Sequence, residues 1–153
     1  VAGLLMGGLV GDSSATIENS YSTSSVTQTN PGTHGRGGGL VGYNQGTIRR
    51  SYSTGAVVAS TRVTEFGSAL YGGGLVGVVY RGITEHCFWD TDTSGQATSA
   101  GGTGKTTAEM QTAKTFLDAG WDFVGETANG TEDLWWINEG KDYPRLWWQA
   151  AGQ

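Results

Sequence analysis

The sequence predicts an all-β fold, a parallel β-solenoid (β-helix) of about three coils with a small α+β cap at its C-terminal end. Two observations lead to this prediction. The pentapeptide Gly-Gly-Leu-Val-Gly occurs at residues 7–11, 38–42 and 73–77, with starts 31 and then 35 residues apart. The chain also has 27 glycines among 153 residues and only 15% charged residues, which favours turns and strands. Three glycines in five residues would cost a helix about 3 kcal/mol per copy, so a helical repeat is excluded.

Each pentapeptide is followed after six residues by an isoleucine, and four residues later by a tyrosine or the cysteine. These are Ile17 with Tyr21, Ile48 with Tyr52, and Ile83 with Cys87. Equivalent positions of a solenoid stack about 4.8 Å apart. We therefore expect columns of leucines and isoleucines, and a contact of Arg50 with Asn19 and Glu85. The glycines are expected to allow positive φ and close backbone approach at the corners.

The first copy continues as Ile-Glu-Asn-Ser-Tyr-Ser-Thr, at residues 17–23. Pentapeptide and continuation together resemble the GLUG repeat, found in bacterial surface and secreted proteins that include adhesins. Residues 88–96, 101–111 and 142–147 are similar to the tail that often closes such arrays. The resemblance implies a β-solenoid and an extracellular or cell-surface location. It implies no shared catalytic activity.

These patterns divide the chain into two predicted parts. Residues 1–95 form the solenoid, with repeats at 7–37, 38–72 and 73–95. Residues 96–153 form the cap, because a solenoid must cover its last apolar layer and its unpaired strand edge.

Within the predicted cap, Thr106 and Glu109 have the spacing of a capping box. This pattern predicts a helix over about residues 107–118 that ends before Gly120. Short tryptophan-rich strands are predicted at residues 134–137 and 145–148.

Five of the six tryptophans lie beyond residue 120, and four of them form the pairs Trp135-Trp136 and Trp147-Trp148. Adjacent strand residues face opposite ways. One indole of each pair is therefore expected to pack inward while its neighbour points outward. A hydrophobic plug is the favoured interpretation, and a glycan-stacking platform built from Trp136 and Trp148 is the alternative.

A calcium-like pattern, D-x-D-x-S-G, begins at Asp90 and includes Asp92 and Ser94. The bidentate glutamate that such a loop needs at its twelfth position is replaced by Gly101. We favour an Asx-rich turn here. Calcium remains the alternative, and no other cofactor is expected.

The segment from Ser99 to Thr106 resembles a phosphate-binding loop, but it has serine where the first glycine is required. Polar turn formers precede it instead of a buried strand. We therefore expect a flexible loop with Lys105 in solvent and no bound nucleotide. His34 and His86 lack partners at metal-ligand or catalytic spacing.

Composition excludes several other classes. The net charge is −5 with no basic stripe, so nucleic acid is not an expected partner. No apolar run approaches the roughly 18 residues of a membrane span, so no membrane insertion is expected. The single cysteine excludes an internal disulfide.

The leading hypothesis is a non-catalytic structural or adhesive repeat module of an extracellular or cell-surface protein. Leu4, Leu5 and Leu9 lie at the start of the first coil, where an uncovered apolar layer would allow end-to-end self-association into filaments. Two alternatives stay open. One is a carbohydrate-binding module that uses the outward tryptophans, and the other is a fragment of a polysaccharide-processing enzyme.

Overall fold

The structure is a computed structural model that describes residues 4–28, 35–59, 61–64, 67–70 and 72–150. The chain separates into two compact units, Val1–Lys105 and Thr106–Gln153. The first unit is a stack of coils made of short strands, and the second is a small unit of helices and one hairpin.

The described part of the first unit contains three coils. The first holds β1 (Leu5–Gly7), β2 (Val10–Ser13), β3 (Thr16–Glu18), β4 (Tyr21–Ser22) and β5 (Val26–Gln28). The second repeats them as β6 (Arg36–Gly38), β7 (Val41–Asn44), β8 (Thr47–Arg49), β9 (Tyr52–Ser53) and β10 (Val57–Ala59). A hairpin of β11 (Thr61–Thr64) and β12 (Gly67–Leu70) leads to the third coil, which holds β13 (Gly72–Gly73), β14 (Val76–Val79), β15 (Ile83–Glu85) and β16 (Phe88–Asp90).

Equivalent strands of successive coils pair in parallel. The ladders are β1-β6-β13, β2-β7-β14, β3-β8-β15, β4-β9-β16 and β5-β10. In the second ladder, the valines of the three pentapeptides, Val10, Val41 and Val76, are direct partners. The predicted all-β parallel solenoid is confirmed.

A partial fourth coil follows a helical turn, α1 (Thr91–Ser94). Its strand β17 (Thr103–Lys105) pairs in parallel with β16. Upstream of β17, Ser99 Oγ accepts hydrogen bonds from the backbone N–H groups of Leu75 at 3.2 Å and Val76 at 2.9 Å. The solenoid unit therefore continues past the boundary predicted at residue 95.

The pentapeptide glycines are required by close backbone approach. A Cβ added at Gly38 would lie 2.0 Å from the carbonyl oxygen of Val41, and one added at Gly39 would lie 2.1 Å from that of Gly74. None of the pentapeptide glycines has positive φ, so that part of the expectation is wrong. The positive φ angles that recur from coil to coil belong instead to Asn19, Arg50 and His86, at 48°, 41° and 54°.

The residue after each of these corners closes it with a side-chain hydrogen bond. In each coil, the side chain of this residue donates a hydrogen bond to the carbonyl oxygen of the residue two positions earlier. The donor–acceptor distances are 2.9 Å for Ser20 Oγ, 2.7 Å for Ser51 Oγ and 3.1 Å for Cys87 Sγ. Cys87 thus takes the serine position of its coil, and Phe88 is the residue that pairs with Tyr52. Aligning Cys87 with the tyrosines is wrong by one residue.

One extra residue in the third coil causes this shift. Asn44 pairs with Val79, and Thr47 pairs with Ile83. The segment between these pairs is therefore one residue longer in the third coil than in the second. Arg81, within the longer segment, adopts a φ of 62°. The extra residue is therefore accommodated at a corner, and the strands on both sides keep parallel pairing.

The shift also changes two of the pairings that we expected from the sequence. Ile17 pairs with Ile48 as expected, but Ile48 pairs with Thr84 on its other side, and Ile83 is 48% exposed. Glu85 is the register partner of Arg49, and its predicted contact with Arg50 is a backbone hydrogen bond from the Arg50 N–H to the Glu85 carbonyl at 3.2 Å. The isoleucine column therefore holds for the first two coils only.

Aliphatic side chains stacked inside the coils form the solenoid core. Those with no exposed surface are Leu40, Val41, Ile48, Leu75 and Val76. Outside this cluster, Tyr21 and Tyr52 stack with ring centroids 5.1 Å apart and planes 4° from parallel. Each coil thus buries its apolar side chains against its neighbours, as a solenoid requires.

The second unit holds α2 (Thr107–Met110), α3 (Ala113–Leu117), β18 (Trp135–Trp136), β19 (Arg145–Leu146) and α4 (Trp147–Ala150). The capping box of Thr106 and Glu109 is confirmed, and Gly120 has a φ of 76°. The single predicted helix is instead two short helices. Thr112 is extended between them, and the carboxylate of Glu139 accepts the Ala113 N–H at 2.9 Å.

Aromatic side chains form the core of this second unit. Phe116, Trp121 and Trp135 have no exposed surface. Trp121 packs edge-on against Phe116, with centroids 4.8 Å apart, and lies 4.7 Å from Trp135. Pairs in such arrangements each contribute about 0.5–1.5 kcal/mol beyond their buried area.

Candidate functional site

The outer face of the first coil is the first candidate site, and it carries the three leucines predicted to mediate assembly. Leu4 is 54% exposed and Leu9 is 50% exposed, while Leu5 is half-buried in β1. Leu40 and Leu75 occupy the pentapeptide position of Leu9 and are fully buried. None of the described residues covers this first apolar layer.

Backbone hydrogen bonds show the same incompleteness. Leu9 N–H donates to the Leu40 carbonyl at 3.0 Å, and Leu40 N–H donates to the Leu75 carbonyl at 2.8 Å. By this pattern, the Leu9 carbonyl is the equivalent acceptor position of the first coil. Strands β1 to β5 are likewise edge strands of their ladders. Exposed strand edges are templates for pairing with further chain segments.

The hairpin of the second unit has an inner and an outer face. Trp135 pairs with Leu146, and Trp136 pairs with Arg145. A parallel bridge places Phe123 beside Trp135, so Val124 follows on the side of Trp136. The inner members Phe123 and Trp135 are 5% and 0% exposed, whereas Val124 and Trp136 are 48% and 37% exposed. Within the second unit, Trp135 is thus the inner member of the pair and Trp136 the outer one.

The second tryptophan pair differs from its prediction. The expected strand ends at Leu146, and the pair begins α4. Trp147 and Trp148 are both exposed, at 48% and 54%, with rings 6.0 Å apart and nearly perpendicular. A helical turn does not alternate its side chains between two faces, so neither indole packs inward. Trp148 is an exposed candidate as predicted, but it does not lie on the strand expected for it.

The calcium-like segment forms a helical turn. Asp90 is fully buried at the N-cap of α1, where its Oδ1 accepts from the N–H groups of Asp92 at 2.8 Å and Thr93 at 3.0 Å. Ser94 Oγ accepts from the Gln96 N–H at 3.2 Å. Within the described ranges, no three His, Cys, Asp or Glu residues are grouped as metal ligands would be. The geometry matches the favoured interpretation, a turn that caps its own backbone.

The phosphate-loop-like segment is not the expected flexible loop. Thr103, Gly104 and Lys105 form β17, and Gly104 is the register partner of Trp89. Lys105 is half-buried on this strand. The glycines of this segment serve close packing, since a Cβ at Gly104 would lie 2.9 Å from the Trp89 ring.

The thiol of Cys87 is a structural group. Burial raises the pKa of Cys87 from 9.0 to about 12, and its Sγ donates to the Glu85 carbonyl. The thiolate is the reactive form of cysteine. A thiol with this pKa is therefore protonated and inert at neutral pH.

We expect the native protein to resist iodoacetamide at pH 8, and the urea-unfolded chain to be alkylated fully. Mass spectrometry of both samples checks this expectation. Because folding raises this pKa, the stabilisation from the neutral thiol is present below pH 9 and is lost as the pH rises towards about 12. Equal alkylation rates in the native and unfolded samples would contradict the burial of Cys87.

Sequence reasoning missed a group on the side of the solenoid. Arg36, Tyr43, Tyr80 and Arg81 form what we call the tyrosine–arginine cluster. Tyr43 and Tyr80 stack with centroids 6.1 Å apart and planes 15° from parallel. The guanidinium carbons of Arg36 and Arg81 lie 4.8 Å and 5.2 Å from the centres of Tyr43 and Tyr80, respectively. The sequence did contain one signal for this cluster, because its residues depart from the repeat pattern.

Comparison with known proteins identifies the repeat. The family model described as the GLUG motif matches residues 33–58, which include strands β6 to β9 of the second coil. The second coil of this chain therefore carries a GLUG motif. The match covers one coil, and the parallel register extends the same pattern to the coils on either side.

This chain is also similar to a putative Gly-rich membrane protein of Evansella cellulosilytica. The two are 41% identical over 76 residues, which are 47% of this chain and 8% of the relative. The chain thus spans a small fraction of the length of the relative that it matches. No solved structure matches it. Among the helices in the described ranges, none has the length and apolar character needed to cross a membrane.

Proposed function

We propose that this chain is a non-catalytic structural module of a cell-surface protein, and that it joins to further coils through the outer face of its first coil. The observation that carries the proposal is the exposure of Leu9 at a position that is fully buried in the next two coils. A coil that leaves this layer open is complete only when another coil covers it.

The arrangement of polar groups supports a structural role over a catalytic one. Buried serines of the second coil stabilise a corner and a neighbouring coil through hydrogen bonds. Ser51 Oγ donates to the Arg49 carbonyl, and Ser53 Oγ donates to the Gly74 carbonyl at 2.7 Å. The buried carboxylate Asp90 caps a helical turn. These groups are engaged in the fold, whereas a catalytic group must be free to contact a substrate.

A surface location is supported by the relative's description as a putative Gly-rich membrane protein. Antibodies raised against this module should label intact cells of the organism that encodes it. Labelling that requires permeabilised cells would overturn the location and leave the fold unaffected.

Charge favours a head-to-tail contact over a symmetric one. Asp12 and Glu18 both lie on the first coil, at positions where the second coil has Tyr43 and Arg49. A two-fold contact uses the same patch on both copies, so it would bring two such acidic coils together, with Glu18 in each already paired with Arg50. A heterologous contact avoids this repulsion and can propagate into a filament.

Leu9→Lys is expected to abolish concentration-dependent association while leaving the melting temperature nearly unchanged, because Leu9 is half exposed in the single chain. Sedimentation velocity over a hundredfold concentration range measures the association. The matched control is Val58→Lys, which changes another exposed apolar residue (56%) on a second-coil strand. A wild-type chain that stays monomeric throughout contradicts the self-association step.

Carbohydrate binding by the second unit is a second candidate function, favoured by the outer row of Val124, Trp136 and Arg145. The exposed indole can stack on a sugar ring, and the adjacent ion pair of Arg145 with Asp142 can bond its hydroxyls. Trp136→Ala should remove binding on a glycan array, and the control Trp147→Ala should retain it. No binding by the wild-type protein would rule this function out.

A further inference from the structure

The tyrosine–arginine cluster is not required by the repeat. At the register positions of Arg36 and Tyr43, the first coil has Leu5 and Asp12. Tyr80 and Arg81 belong to the corner that contains the extra residue of the third coil. The stack therefore forms without these side chains in its first coil. Residues that break a local pattern without serving the fold are candidates for a binding role.

The described arginine side chains fall into two groups. Arg49, Arg50 and Arg145 each pair with a carboxylate. Arg36 and Arg81 lie over tyrosine rings instead, and no carboxylate among the described residues pairs with either. Two cations that have no acidic partner among the described residues thus lie over stacked rings of successive coils, on a chain whose net charge is −5.

Stacking on an aromatic ring prepares a guanidinium for an anion. The ring covers one face of the cation, and the N–H groups at its edge remain directed outward for bidentate bonds to a carboxylate or sulfate. The Nε of Arg36 is buried and has no hydrogen-bond partner among the described residues. An anion at this cluster would compensate a charge that the folded chain leaves unneutralised.

The tyrosines add a second recognition element. Tyr80 is 48% exposed, and its ring stacks on Tyr43 of the preceding coil. The cluster therefore offers the exposed part of the Tyr80 ring beside two cationic groups that belong to successive coils. A chain of sugar rings that carry acid groups matches this combination of aromatic and cationic groups. The sugar rings can contact the tyrosines while the acid groups bind the arginines.

We propose that the tyrosine–arginine cluster binds an acidic polysaccharide through its carboxylate or sulfate groups. Arg36 and Arg81 bind the anions, and Tyr43 and Tyr80 contact the sugar rings. This site is separate from the first-coil face, so its failure would leave the structural role untouched.

The test measures binding of the full chain to polygalacturonate and to dextran sulfate by calorimetry at low salt. Arg81→Gln and Tyr80→Ala are each expected to weaken binding about tenfold or more, as the loss of a charge-assisted contact predicts. The control Lys114→Gln removes the same charge from an exposed residue already paired with Asp118, and it should bind as wild type does. Added salt should weaken the wild-type interaction. The preferred polymer identifies the acid group as carboxylate or sulfate.

Three results would each overturn the proposal. Unmodified dextran binding as tightly as the charged polymers would show that the anion is not recognised. Polyglutamate binding as tightly would assign the cluster to acidic peptides. An equal loss of affinity in Lys114→Gln and Arg81→Gln would show that binding depends on the net charge of the protein and not on this cluster. Thermal melting of all three variants verifies that each is folded.

Discussion

Replacing Leu40 by alanine is expected to lower the free energy of unfolding by about 2–5 kcal/mol. Leu40 has no exposed surface and belongs to the core cluster with Leu75 and Ile48. The substitution leaves a cavity between stacked coils that are held in register by backbone hydrogen bonds on both sides. The coils cannot close around it without lengthening those bonds. Urea unfolding followed by tryptophan fluorescence measures the change.

The matched control is Leu9→Ala, at the same position of the first coil. Leu9 is 50% exposed, so its truncation should cost less than about 1 kcal/mol. Equal losses in the two variants would show that the first layer is covered in solution, for example by self-association. Repeating the measurement at low protein concentration separates that outcome from an error in the coil register.

Gly38→Ala is expected to cost more than about 3 kcal/mol or to prevent folding, since overpacking against backbone leaves no side chain free to move aside. The added methyl group would lie 2.0 Å from the Val41 carbonyl oxygen and 2.7 Å from the Gly77 nitrogen. Val41 and Gly77 lie in strands β7 and β14, which pair with each other in the parallel ladder. Circular dichroism and thermal melting of the purified variant measure the effect.

The neighbouring residue supplies a matched control. A Cβ at Gly37 would meet Val26 Cγ1 at 3.5 Å and Val57 Cγ1 at 3.9 Å, which are ordinary van der Waals distances. Gly37→Ala should therefore fold normally. Its reduced backbone freedom in the unfolded state can even stabilise the protein by a few tenths of a kcal/mol. Two variants of equal stability would show that the close approach at Gly38 is not required.

The coil architecture could be predicted because three identical pentapeptides define its period. The alignment of the third coil could not, since a single extra residue such as Arg81 leaves no mark on the spacing between Gly77 and Ile83. Only backbone pairing shows that Thr84 is opposite Ile48. Positive φ at Asn19, Arg50 and His86 was also missed, because glycine is the residue expected there.

The candidate sites were predictable to different degrees. The exposure of Leu9 follows from stacking, because the first coil has only one described neighbour. Trp136 follows from strand alternation, whereas Trp147 and Trp148 do not, since a strand and a helical turn orient the pair differently. The tyrosine–arginine cluster joins residues of two coils, and the sequence spacing alone does not show that Tyr80 stacks on Tyr43. That the second unit closes the solenoid stays a prediction.

The longer corner between β14 and β15 and the hairpin of β11 and β12 share one property. Each adds residues where the chain bends, while the strands on either side keep their pairing. Strands in such a stack are constrained by two neighbours, whereas a bend is constrained mainly by its own two ends. Insertions are therefore tolerated where the chain turns. A fold organised in this way is evolvable, because new loops can diversify its outer surface without any change to the sequence that encodes its core.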